Sequence, residues 1–139
     1  MAAPNSTSSN HPVGIPLTIL IPVAAMANLA NAQVFKQKLP FAFQVESALF
    51  RVGDKAVTTA AKLATATVQI NGAAVTGGVM ALTSANCTPT GAAVAATDIT
   101  ANNFTQTAGT TLEVAISSVT AFSEGDGWFE ITVTPISAG

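Results

Sequence analysis

The chain is 139 residues long, enough for one domain with a sizeable core. Hydrophobic residues make up 49% and charged residues only 9%, against roughly 25% charge in an average soluble domain, so surface polarity must come from Thr, Ser and Asn, as on many β-rich surfaces. This is not the composition of a disordered chain, and a net charge of −2, with all five cations inside residues 36–62 and no run of four, argues against nucleic-acid and anionic-lipid partners.

Residues 1–14, MAAPNSTSSNHPVG, read as an extended arm, because Pro4 and Pro12 break helix and the Asn/Ser/Thr cluster offers no apolar face. Residues 15–139 then read as a single β-sandwich domain. The apolar run IPLTILIPVAAMANLANA (15–32) mimics a signal peptide. It lacks a basic n-region, is broken by Pro16 and Pro22 and is too short to span a bilayer, so it is expected to be retained, with no membrane partner.

LTILIPVA (17–24) predicts a first strand, with Pro22 confining its far end to a sheet edge. MANLANAQ (26–33) predicts one helical turn or a loop, and Val34–Lys38 a short strand closed by Pro40. In FAFQVESALFRV (41–52) the apolar phase runs Phe41, Phe43, Val45 and then shifts to Ala48, Phe50, Val52, which signals a bulge or burial on both faces. KAVTTAAK (55–62) is ambiguous between helix and strand.

From Ala64 to Ile70 the alternation is clean, and Asn71-Gly72 predicts a type I′ hairpin turn. Thr76-Gly77-Gly78 reads as a second turn before a strand over 79–84, and residues 85–110 are loop-rich with one short strand near 92–97. TLEVAISSV (111–119) and WFEITVTPI (128–136) each alternate apolar and polar residues around the connection SEGDG (123–127), which predicts an antiparallel pair with one dry face. Seven to nine short strands without a normal amphipathic helix make an all-β fold: an antiparallel β-sandwich, plausibly a jelly roll, behind an N-terminal arm.

Candidate chemistry is sparse. His11 is the only histidine and Cys87 the only cysteine, so no histidine-rich or thiolate metal cage and no intrachain disulfide can form; a Cys87–His11 nucleophilic pair would have to meet across the fold. Glu113 and Glu130 could form a carboxylate pair in a sugar groove, yet two solvated side chains are the plainer reading in a chain with no Tyr and a single Trp, Trp128. Ser123–Gly127 offers two carboxylates for calcium, but its spacing suits a simple turn better. The glycines at 72, 77 and 78 lack the Lys-Ser/Thr of a phosphate loop, and the Asn-x-Ser/Thr matches at Asn5, Asn86 and Asn103 are expected by chance. No enzyme activity, cofactor or metal is therefore expected.

Val57–Lys62, Ile70–Gly78, Leu82–Asn86 with Pro89, and Ser117–Gly127 carry a recognisable pattern: a Val-Thr-Thr-Ala-Ala-Lys lead-in, an INGxxVTGG hairpin, LTSAN…P, and SSVTAFxEGDG before a last strand. Over residues 40–135 the chain resembles small structural proteins of tailed bacteriophages, among them head decoration (cement) proteins. The resemblance implies a protein on the outer surface of the virion head that binds the major capsid protein and stabilises the shell, with a homotrimer as the natural form at three-fold positions. Asn5, His11, Pro12, Val13, Ile15, Pro16, Leu17 and Ile19 are the residues expected to contact capsid or neighbouring subunits. The alternative is a tail, fibre or surface-adhesion module that could bind carbohydrate.

Overall fold

The computed structural model describes residues 14–55 and 61–137. Nearly all of the predicted arm, with Asn5, His11, Pro12 and Val13, and the ambiguous Val57–Thr59 lie outside the described residues. The chain forms two antiparallel sheets. One has the order β1 (Leu17–Val23), β9 (Gly127–Pro135), β3 (Phe43–Val52), β6 (Ala93–Ala95), with β7 (Phe104–Thr105) also against β3. The other has the order β2 (Val34–Lys38), β8 (Thr111–Thr120), β4 (Leu63–Ile70), β5 (Ala73–Thr83). A single 3₁₀ turn at Met26–Asn28 joins β1 to β2.

The all-β sandwich expected from the alternation is the fold, and its core lies between the sheets. Val45, Phe50, Phe129, Ile131 and Val133 point in from the first sheet; Ala66, Val68, Met80, Leu82, Leu112 and Val114 meet them from the second. The Phe50 and Phe129 rings pack edge to face at 5.1 Å, and Phe35 of β2 reaches across to Phe129 at 6.0 Å. Each fully buried phenylalanine contributes roughly 1.5–3 kcal/mol through burial.

The phase shift in residues 41–52 is a bulge: the β3–β9 register slips between Val45 and Ser47, leaving Glu46 as the extra residue. Asn71 and Gly72 have φ of 50° and 86°, as a type I′ turn requires, and they close the β4–β5 hairpin.

Two expectations are overturned. Thr76-Gly77-Gly78 is not a turn; it lies inside β5, where Val75–Gly78 bulges out opposite Val68 alone, between the pairs Gln69–Ala74 and Thr67–Val79. Nor do residues 111–119 and 128–136 pair with each other, since β8 lies between β2 and β4 and β9 between β1 and β3. Alternation records that each strand has one dry face and carries no information on which strand lies beside it. The connection through 121–126 buries Phe122 and crosses from one sheet to the other, where a tight hairpin would have kept the strands together.

The four sheet edges are each treated differently. Ile136 N–H donates to the Ala42 carbonyl and Gly53 N–H to the Asp126 carbonyl, so even-numbered residues of β9 bond β3 and odd-numbered ones bond β1. In β1 and the residue before it the even-numbered positions therefore face the open edge, and two of these four, Pro16 and Pro22, carry no N–H. The β2 edge exposes Lys36 and Lys38. The loop after β6 covers β5 through Thr76 N–H to Ala101 and Thr100 N–H to Thr76, and β6 is only three residues long. Proline, charge, cover and brevity are the four standard ways of blunting an edge.

Candidate functional site

Of the predicted contact residues, Ile15, Pro16, Leu17 and Ile19 are described, and they lie in β1 or just before it. Ile15 and Pro16 are exposed, whereas Leu17 and Ile19 are half-buried and pack against the core. The exposed apolar side chains here are Ile15 and Leu20, at 56% and 59% exposure. Leu20 was not singled out from sequence, although the inward phase of Ile19 and Ile21 fails to hide it and so marks it.

Glu113 and Glu130 stand on β8 and β9, hence on opposite outer faces of the sandwich, and cannot act as a pair. Glu113 is only 7% exposed, flanked in register by Lys36 on β2 and Gln69 on β4. Asp126 holds a loop: its Oδ1 accepts the Asp54 N–H at 2.7 Å, and its backbone exchanges bonds with Gly53 and Asp54. That carboxylate is occupied by backbone, and the described residues bring no three His, Cys, Asp or Glu side chains together. Cys87 is buried, its Sγ donating to Asn86 Oδ1 at 3.4 Å; burial pushes its thiol up to about 11, partly offset by the hydrogen bond with the Thr83 backbone. A thiol held neutral at pH 7 is a poor nucleophile.

A polar cluster not foreseen from sequence lies on the outer face of the first sheet. Arg51 and Trp128 are directly opposed on β3 and β9, and Glu130 follows two residues along on the same face. Glu130 Oε2 accepts from Trp128 Nε1 at 2.8 Å and from Arg51 Nε at 3.2 Å, while Arg51 Nη1 donates to the Gly91 carbonyl at 3.1 Å. This is the one ion pair among the described residues. The hydrogen bonds from Arg51 and then Trp128 hold the Glu130 carboxyl below its usual range. Seventy-nine residues separate Arg51 from Glu130, so only the β3–β9 pairing, invisible in local periodicity, could have revealed it.

The outer face of the second sheet has a different character. Across its middle, Val34, Ala115, Thr67 and Val79 lie in one row, with Ser117, Thr65 and Ala81 in the next; the charges Lys36, Lys38 and Glu113 are confined to one end. Val34 and Val79 are about two-fifths exposed at the two edges of this row. A hollow of about 260 Å³ opens where β1 and β2 part, lined by Pro22, Val23, Leu29, Gln33 and Phe35 among others, none of them charged. No helix among the described residues is long and apolar enough to cross a membrane. Comparison with protein families, with curated proteins and with solved structures found no match.

Proposed function

We propose that the chain is a non-enzymatic virion structural protein of the head-decoration type, a jelly-roll trimer that binds the major capsid protein on the outside of a bacteriophage head. The strand orders β1-β9-β3-β6 and β2-β8-β4-β5 fit a jelly roll, in which, the short β7 aside, the chain passes from one sheet to the other at every connection except the β4–β5 hairpin. One observation carries the functional reading: every sheet edge is blunted, while the middle of the outer face of the second sheet presents an uncharged Val/Ala/Thr surface. Such a molecule resists open-ended strand pairing and offers a flat face to neighbours in a closed assembly.

Magnitude matters here. Four strands about 4.8 Å apart and about eight residues long give a footprint of roughly 500 Å², below the roughly 800 Å² per partner of a standard interface. A single copy would bind weakly through this face alone, and stable occupancy then depends on several contacts engaged together. Val79→Glu places a charge at the exposed edge of the row and leaves the core untouched. In co-sedimentation with undecorated heads we expect its apparent affinity to drop about tenfold, equivalent to about 1.4 kcal/mol. Full occupancy by a folded Val79→Glu protein would remove this face from the interface, and a deletion of residues 1–14 in the same assay tests the arm separately.

The second reading, a tail or surface-adhesion module, is favoured by the Trp128–Arg51–Glu130 cluster. Cryo-EM of the intact virion separates the two by position, since density on the tail alone would overturn head decoration.

A further inference from the structure

The geometry points to a binding site for a neutral oligosaccharide on the outer face of the first sheet, centred on Trp128 with Arg51 and Glu130 beside it. This goes beyond the decoration role and uses the face opposite to the uncharged one.

The chemistry follows from what the cluster leaves free. Both hydrogen bonds to Glu130 land on Oε2, and Arg51 spends Nε and Nη1 on protein partners. Glu130 Oε1 and Arg51 Nη2 have no partner among the described residues. One is an acceptor and the other a donor, on two side chains joined by the Nε–Oε2 ion pair, a combination suited to the hydroxyls of a sugar ring. The two charges cancel, so the site attracts neither anion nor cation. Trp128 is half-buried beside them, and its indole N–H, tied to Glu130, fixes the ring as a platform. A pyranose offers just this combination of an apolar C–H face and a hydroxyl rim.

The site is extended as well. Thr132 and Thr134 continue from Glu130 along the middle of the same face, with Gln44 opposite Thr134, Ser47 opposite Thr132 and the exposed Glu46 bulged out between those two. A row of hydroxyl and amide groups leading away from one aromatic, with a single carboxylate acceptor at its side, suits a chain of sugars better than a single ring.

Trp128 is the chain's only tryptophan, so its emission reports on the site directly. Titrating the full chain with maltoheptaose, cellohexaose, laminarihexaose and a chitin hexamer should give a saturable change with at least one of them. Affinity electrophoresis in the matching polysaccharide should then retard the parent, and Trp128→Ala and Glu130→Gln should bind about tenfold more weakly. Should Trp128→Ala fail to fold, Thr132→Arg blocks the face without touching the cluster and must also abolish retardation. Val79→Glu, on the opposite face, must be retarded like the parent, so loss of capsid binding and loss of sugar binding are read independently. No emission change with any of these sugars at about 10 mM, retardation unaltered in Thr132→Arg, or binding only to a polyanion such as heparin would each overturn the proposal.

Discussion

At the scale of single residues, Gly77 is the position the fold can least afford to change. Its φ is +85°, in the left-handed region, and a Cβ there would lie 1.8 Å from the Asp98 carbonyl oxygen. The close approach exists because the bulge at Val75–Gly78 is where the 97–102 loop docks: Thr97 Oγ1 donates to the Gly77 carbonyl and Asn102 Nδ2 to Thr76 Oγ1. Gly77→Ala must therefore both strain the backbone and push the loop off the β5 edge. Positive φ at a non-glycine residue costs of order 1–3 kcal/mol, so urea denaturation should place the variant at least that much below the parent. A loss of less than about 0.5 kcal/mol would mean that loop and bulge move apart freely.

Among elements, β1 shows most directly how sequence chemistry governs assembly. Only Thr18 and Leu20 offer outward N–H groups along its open edge, because Pro16 and Pro22 occupy the flanking positions. The remaining window is too short to template another strand, although the strand itself is uncharged over seven residues. Replacing both prolines by threonine restores the two donors and keeps β propensity. We expect light scattering of the double variant to rise steeply with protein concentration under conditions where the parent's does not; equal behaviour would mean that something other than proline closes this edge. The strand and its edge character were legible in the sequence, as were the Asn71-Gly72 turn and the Glu46 bulge, because each depends on residues within a few positions. The glycine pair at 77–78 was not. Positive φ serves a turn and a bulge alike, and the choice between them is made by a loop some twenty residues away.

For the whole molecule, what could not be read locally is the set of long-range pairings. Alternation in residues 111–119 and 128–136 fixed which side chains go inward and left their neighbours open, so the two strands went to different sheets and their glutamates to opposite faces. The same long separations bring Arg51 to Glu130 and β1 to β9, and they make a kinetic prediction. Strand β9 lies between β1 and β3, more than a hundred residues after the former and about eighty after the latter, so the first sheet cannot form until both ends of the chain meet. High contact order slows folding into the millisecond-to-second range. It also makes the sandwich one cooperative unit, because without β9 strand β1 has no partner and β3 keeps only the short β6 and β7. Trp128 sits on β9 and is the natural probe. Its fluorescence and the far-UV circular dichroism should change at the same urea concentration with one relaxation phase. A fluorescence transition clearly below the circular-dichroism one would show that the first sheet opens while β2, β8, β4 and β5 stay folded, and the sandwich would then be two units rather than one.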